Sequence, residues 1–117
     1  MDKKIENYKK CVRDLLLPYE SLRTERSKVE LIFDNERMRY MAVRVGWADR
    51  KRLHLCLVHI DICDGKIIIQ CNNTEDLIIT ELEEMGVPRQ DICSGFLPPE
   101  VRAIADQPVR QPELVFA

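Results

Sequence analysis

The dipeptide Asp64-Gly65 is the feature that most restricts how this chain can fold. It separates two apolar runs, HLCLVHIDIC and KIIIQC, and Asp-Gly between such runs predicts a two-residue β-hairpin with a mirror-image turn. A two-residue loop also sets the register, so we expect Ile62 opposite Ile67 and His59 opposite Gln70. The dipeptide therefore predicts an antiparallel hairpin at the centre of the fold.

Successive side chains of a strand point to opposite faces, which gives this hairpin a core face and a mixed face. The core face is predicted to carry Val58, Ile60, Ile62, Ile67, Ile69 and Cys71. The mixed face is predicted to carry Leu53, Leu55, Leu57, His59, Asp61, Ile68 and Gln70. Because contiguous exposed apolar patches are uncommon on monomers, we expect the C-terminal segment, a second subunit or a partner protein to cover the leucines.

The rest of the chain predicts a single α+β domain over residues 1–117. Short connections cannot carry crossover helices, so the strands within residues 28–71 should form a four-stranded antiparallel meander. Amphipathic spacing predicts helices over residues 2–17 and 74–85 that pack on this sheet. Residues 93–117 are interrupted by prolines, and we expect an irregular tail that packs on the domain or on a neighbour.

Local signals indicate where the second helix begins and ends. Thr74 or Asn73 can cap its first turn, which would hold Glu75 and Asp76 near the positive end of the helix dipole. Gly86 is placed as its C-terminal cap.

Charge and cysteine content narrow the classes of function. With 18 Lys and Arg against 20 Asp and Glu, the net charge of −2 argues against a chain that binds nucleic acid through its overall field, although it leaves room for a local basic patch. Five cysteines without a CxxC pair are typical of reduced thiols in a cytosolic protein. The N-terminus has no apolar signal region and no apolar run approaches membrane-spanning length, so we expect a cytoplasmic protein with no membrane contact.

The residues offer only a weak site for metal or acid–base chemistry. His59 and Asp61 lie two apart on a strand and point the same way, and Asp34 and Glu75 would complete the set of a metal-dependent nuclease or hydrolase. His54 is expected on the opposite face from His59, which removes the simplest zinc site. The sequence has no glycine-rich phosphate loop and no nucleophile beside an identifiable base, so we expect no cofactor and no catalytic residue.

A binding role is the stronger interpretation. The candidate partner-binding residues are Trp47, Leu53, Leu55, Leu57, His59, Asp61 and Gln70. Trp47 could stack on a base or on a partner's side chain beside a basic loop, residues 50–52. Direct DNA binding through Arg37, Arg50, Lys51 and Arg52 is a third hypothesis.

Three blocks of the sequence, in a fixed order, carry a family resemblance. They are LIFDNERMRYMAVRVGW, HLCLVHIDICDGKIIIQCNNTED and ELEEMGVPRQDICSGFLPPEVR. Together they resemble the XisI-like family of cyanobacterial excision controlling factors, whose members typically show FD.ER.HY....VGW, HIDI.DGK..IQ.N.TE and EL...GVPK.DIVLGFHPP..R. The resemblance runs from the first helix to Arg102. Leu97, Cys63 and a longer, proline-rich tail depart from the family pattern.

The resemblance implies an accessory role rather than recombinase chemistry. The family is linked to programmed excision of a DNA element during heterocyst development in cyanobacteria, alongside a site-specific recombinase and a companion protein, XisH. The resemblance therefore implies a non-enzymatic factor that binds an XisH-like protein and associates only indirectly with the recombinase and DNA. Self-association into a homodimer is a further expectation.

Overall fold

One sheet of five strands, in the order β1-β2-β3-β4-β5, organises the fold. The structure is a computed structural model that describes residues 3–97. Its helices are α1 (Lys3–Leu16) and α2 (Ile78–Glu84), with 3-10 turns at Leu17–Ser21 and Arg89–Asp91. Its strands are β1 (Ser27–Asp34), β2 (Arg39–Ala48), β3 (Lys51–Cys63), β4 (Lys66–Asn72) and β5 (Ile92–Ser94).

The predicted α+β class and the antiparallel meander of β1 to β4 are confirmed. The predicted number of strands is wrong, because β5 pairs in parallel with β4, with Ile67 opposite Ile92 and Ile69 opposite Ser94. The irregular tail therefore does not begin at residue 93. Three residues are too short a segment to give a period-2 pattern, so the sequence carried no clear signal for this strand. The predicted packing of the last twenty residues of the tail lies outside the described residues.

The hairpin turn is confirmed in type and in position. Asp64 has φ 53° and Gly65 has φ 76°, the two positive angles that a type I′ turn requires. Ile62 pairs with Ile67 as predicted, but His59 pairs with Cys71 rather than with Gln70. Gln70 is the extra residue of a β-bulge, a feature that a strictly alternating pattern cannot reveal.

A second bulge in β3 changes which face its leucines occupy. Ala42 of β2 pairs with Val58 and the next residue, Val43, pairs with Cys56, so Leu57 is the extra residue. Leu57 and Val58 are both buried in the same core cluster. The bulge reverses the alternation before it, so the prediction that the leucines share a face with His59 and Asp61 is wrong.

Register pairs show where the side chains before the bulge lie. Leu55 pairs with Arg44 and Leu53 pairs with Gly46, on the face that Ala42 also occupies. His54 pairs with Val45 on the other face, and this is the face of His59. The predicted separation of the two histidines onto opposite faces is therefore wrong. Their partners on β2, Met41 and Val45, are four residues apart, so the two histidines still lie about 13 Å from each other.

Both helices pack on one face of the sheet, called here the helix face; the other is the open face. The helices contribute Tyr8, Cys11, Val12, Leu15, Leu16, Ile78 and Leu82 to the core cluster. The strands contribute Val29, Tyr40, Ala42, Leu57, Val58, Ile60, Ile62, Ile67, Ile69 and Ile92. The core therefore lies between the helix face and the two helices.

The second helix is shorter than predicted at its start. It begins at Ile78 with Leu77 as a cap that makes no side-chain hydrogen bond, so the predicted cap at Thr74 or Asn73 is wrong. Asn72 Oδ1 instead accepts hydrogen bonds from the backbone and hydroxyl of Thr74 at 3.0 and 2.6 Å. Such local side-chain bonds compete with helix formation, and they leave Glu75 and Asp76 before the helix rather than in its first turn.

The end of the same helix follows the prediction. Gly86 has φ 102° and donates to the Glu83 carbonyl, while Val87 donates to the Leu82 carbonyl. This pair of bonds is a Schellman motif, in which glycine supplies the left-handed residue. Val87 and Leu82 are both buried, so the motif also directs the chain back toward the sheet.

Two tyrosines of the N-terminal helical segment tie it to the C-terminal half of the domain. Tyr8 donates to Asp91 Oδ2 at 2.5 Å, and Lys4 Nζ lies 3.2 Å from the same oxygen. Tyr19 donates to Asp76 Oδ2. Burial first, and then the hydrogen bond to the carboxylate, raises the pKa of each tyrosine to about 12.

We predict that Gly46→Ala destabilises the fold far more than Gly86→Ala. A Cβ at Gly46 would lie 2.2 Å from the Arg26 carbonyl oxygen, so backbone must move, at a cost of about 3 kcal/mol or more. A Cβ at Gly86 meets nothing within 4 Å, which leaves only the strain of a positive φ, about 1 kcal/mol. Urea unfolding followed by circular dichroism measures both; equal losses would contradict the packing at Gly46.

The two tyrosine ties predict a loss of stability in alkali. An unfolded tyrosine ionises near pH 10, so a folded pKa of about 12 gives a contribution that is complete below about pH 10 and is lost as the pH rises through about 12. Urea unfolding across this range should show the loss, and Tyr8→Phe combined with Tyr19→Phe should make the profile flatter. Tyrosinate absorbance that rises near pH 10 while the protein stays folded would contradict the two ties.

Candidate functional site

Side chains of four strands form rows across the open face. From the hairpin end, the rows are Asp34–Arg39–Asp61–Ile68, Ile32–Met41–His59–Cys71, Glu30–Val43–Cys56, Lys28–Val45–His54 and Trp47–Arg52. Neighbouring strands are about 4.8 Å apart, so members of a row are in reach of one another. The open face is therefore polar at the hairpin end, apolar along its centre and basic at the far end.

An apolar stripe runs along the centre of the open face. It consists of Ile32, Met41, Val43, Val45 and Trp47. Ile32 is 51% exposed and Trp47 is 50% exposed. An antiparallel sheet that is covered on one side normally presents polar residues on the other, so this composition is unusual for a solvated face. Among residues 3–97, the apolar stripe is therefore a strong candidate for a contact surface.

A polar triad of His59, Asp61 and Gln70 lies beside the apolar stripe. His59 Nε2 donates to Asp61 Oδ1 at 2.9 Å, and Gln70 Nε2 donates to Asp61 Oδ2 at 3.1 Å. His59 and Asp61 are half-buried. The bulge at Gln70 aims its amide at the carboxylate although the two residues are not paired in the register. Both oxygens of Asp61 therefore already carry a hydrogen bond within the domain.

The four residues of the predicted metal site are not brought together. Asp34 accepts hydrogen bonds from the backbone of Glu36 and Arg37, and mainly the Arg37 backbone bond lowers the pKa of its carboxyl. The strand β2 separates Asp34 from Asp61 by two strand spacings, about 10 Å. Within residues 3–97, no group of three or more His, Cys, Asp and Glu could hold a metal ion. The metal-dependent alternative thus lacks the geometry it requires in this part of the chain.

The seven predicted partner-binding residues divide between the two faces. Trp47 and the polar triad lie on the open face. Leu57 is buried in the core, while Leu53 and Leu55 lie on the helix face beyond the helices, where Leu55 is 46% exposed. The prediction missed the centre of the apolar stripe, although strict alternation in β2 already put Met41, Val43, Val45 and Trp47 on one face.

Two thiols lie on the same face. Cys71 Sγ is 3.7 Å from the Cys56 carbonyl oxygen, and Asn73 Nδ2 approaches both residues. Burial first, and then the nearby Cys71, raises the pKa of the Cys56 thiol to about 11. A thiol with so high a pKa is protonated at neutral pH and reacts slowly. All five cysteines are free, in agreement with the predicted reduced thiols.

A family model and two solved structures that are similar to this chain carry the same family description. A family model described as XisI protein matches residues 1–109. The crystal structure of a XisI-like protein from Anabaena variabilis ATCC 29413 is similar, with a TM-score of 0.83 and 39% identity over 91% of this chain and 99% of that one. The fdxN element excision controlling factor XisI from the same organism has a TM-score of 0.76 and 28% identity over 88% and 96%. No curated protein matches the chain.

Within residues 3–97, no helix is long and apolar enough to cross a membrane.

We predict that the polar triad does not bind Mg²⁺ or Mn²⁺. The carboxylate of Asp61 is shared between His59 and Gln70, and a hard cation needs several further oxygen ligands that this site lacks. Calorimetric titration of the wild type with each ion should give no saturable heat. A saturable heat that disappears in His59→Ala but persists in Asp34→Ala would contradict this arrangement.

Proposed function

The chain belongs to the XisI protein family, and on that premise we propose that it is an excision controlling factor that acts by binding another protein. The similar protein from Anabaena variabilis is an fdxN element excision controlling factor, which supports a controlling role in DNA rearrangement. The proposed partner is an XisH-like protein. Contact with the recombinase is then indirect, and the setting is the cytoplasm of a cyanobacterial cell.

The observation that supports this proposal is the apolar stripe on the open face. Ile32 and Trp47 each leave about half of a large apolar side chain in water, and the stripe joins them through half-buried Met41 and Val45. Burying a large apolar side chain is worth about 1.5–3 kcal/mol, so a partner that covers Ile32 and the adjoining Met41 gains a substantial part of its binding energy. Association interfaces are built in this way, with an apolar centre and a polar rim.

The polar triad supplies the specific part of the proposed contact. His59 and Gln70 are held by Asp61, so their ring and amide meet a partner in one orientation. A partner that matches this orientation avoids leaving a polar group buried and unpaired, an error that costs about 1–3 kcal/mol. The triad therefore distinguishes the right partner from a merely apolar surface.

The arrangement supports association better than catalysis. Asp61 already accepts one hydrogen bond on each oxygen, and within residues 3–97 no cluster of His, Cys, Asp and Glu adds the further ligands that a metal would need. Leu53 and Leu55, on the helix face, are not part of the proposed surface.

We predict that Ile32→Glu abolishes binding to the XisH-like protein, whereas Leu55→Glu does not. The two side chains are similarly exposed, at 51% and 46%, but lie on opposite faces of the sheet, so the pair is a matched control. Co-expression with a tagged XisH-like protein and pull-down should show at least about tenfold less capture of Ile32→Glu, because a buried unpaired carboxylate opposes the contact.

Two results would contradict the proposal. Equal capture of the wild type and Ile32→Glu, with both variants folded by circular dichroism, would remove the open face as the binding surface. Loss of capture by Leu55→Glu alone would transfer the contact to the helix face. Light scattering of the chain alone then reports whether two copies associate.

A further inference from the structure

A cleft of about 710 Å³ lies at the end of the open face opposite the hairpin. It lies between the loop that precedes β1 and the ends of β2 and β3, and Gly46 allows the loop backbone to approach β2 closely. Its cationic lining residues are Arg23, Arg26, Lys28 and Arg52, and His54 also lines it. Glu25 and Glu30 are its acidic lining residues. This site is called here the basic cleft.

Charge in the chain is unevenly distributed around the basic cleft. Residues 22–30 and 44–54 together hold seven Lys and Arg against three Asp and Glu. The other 97 residues hold eleven Lys and Arg against seventeen Asp and Glu. An acidic protein therefore presents one basic end, and its net charge of −2 conceals a local positive field that attracts anions.

Several of these cations have no acidic partner within residues 3–97. Lys28 pairs with Glu30 at 3.3 Å, and Arg44 donates to Ser27 at 2.9 Å. The side chains of Arg23 and Arg26 form no ion pair or hydrogen bond with the described residues, and both are exposed. Their guanidinium groups are therefore available to a ligand, and guanidinium is the side-chain group best suited to phosphate.

An aromatic side chain lies next to these cations. Trp47 is 50% exposed and occupies the last row of the open face, opposite Arg52 in the register. The Arg52 guanidinium carbon lies 5.4 Å from the centre of the Trp47 ring. The backbone N–H of Trp47 donates a hydrogen bond to the Arg26 carbonyl oxygen in the loop before β1. An exposed ring beside a guanidinium group and further cationic side chains is the kind of surface on which single-stranded nucleic acids stack their bases.

We propose that the basic cleft binds single-stranded nucleic acid, with phosphates on Arg23, Arg26 and Arg52 and an unpaired base on Trp47. An acidic peptide would use the same cations but would leave the ring in water. A duplex offers phosphates to the cations but keeps its bases stacked inside. The combination of cations and an exposed ring therefore favours an unpaired strand, and the site is separate from the polar triad at the other end of the face.

Trp47 is the sole tryptophan of the chain and contacts the cleft residue Arg52, so its fluorescence reports a base that stacks on the ring beside the basic cleft. Titration with an oligothymidylate of about 15 nucleotides at about 50 mM salt should quench it saturably. The logarithm of the binding constant should fall linearly with the logarithm of salt, with a slope of about −0.7 for each phosphate contact. An oligouridylate of equal length shows whether DNA or RNA binds more tightly.

Substitutions distinguish specific contacts with the nucleic-acid strand from general attraction to positive charge. Arg23→Ala combined with Arg52→Ala should weaken binding about tenfold or more and reduce the salt slope by about 1.4. Arg37→Ala combined with Arg39→Ala removes the same charge at the hairpin end and should leave binding within about twofold. Trp47→Ala, followed by anisotropy of a labelled strand, should weaken binding about tenfold through loss of stacking.

Three results would overturn the proposal. The first is the absence of saturable quenching up to about 100 μM oligothymidylate, the range of nonspecific affinity. The second is equal weakening by the two arginine pairs, which would reveal attraction to overall charge only. The third is tighter binding to a duplex than to either single strand, which is incompatible with an unpaired base on Trp47.

Discussion

The β-bulge at Leu57 is the constraint on which the two faces of this domain depend. Its extra residue allows Leu57 and Val58 to be buried in one core although they are adjacent in a strand. The bulge thereby directs the leucines before it to the helix face and His54 to the open face. The second bulge, at Gln70, adjusts β4 in the same region and brings its amide to Asp61. Bulges of this kind re-aim side chains, and here they determine which groups a partner can meet.

Because the bulges determine which side chains lie on each face, the open face carries three different surfaces, one after another along the strands. The polar triad lies near the hairpin, the apolar stripe occupies the centre, and the basic cleft lies at the far end. The helix face, by contrast, is occupied by α1 and α2 and by the tyrosine ties to Asp76 and Asp91. A factor that binds both a protein and a nucleic-acid strand would need this division, since one face holds the fold together and the other stays available.

The sequence alone predicts the turn and the helix cap, which depend on local backbone conformation, but it does not predict the irregular pairing of the strands. The Asp64-Gly65 turn and the glycine cap at Gly86 depend on residues that adopt positive φ readily, two in the turn and one in the cap, so the residue types alone predict them. Bulges, a three-residue parallel strand and the late start of α2 depend on tertiary packing and on local bonds of Asn72. For the candidate site, the alternation of β2 already grouped the apolar stripe, whereas the leucines of β3 were assigned to the wrong face because a bulge leaves no period-2 signature.

The central claim is that the open face, and not the helix face, receives the protein partner. Methyl-labelled nuclear magnetic resonance of this chain with an unlabelled XisH-like protein tests it most directly, because each isoleucine, leucine and methionine methyl reports its own surroundings. The account predicts that the signals of Ile32 and Met41 shift or broaden on binding while those of Leu55 do not. Perturbation confined to Leu53 and Leu55, with Ile32 and Met41 unchanged, would contradict it.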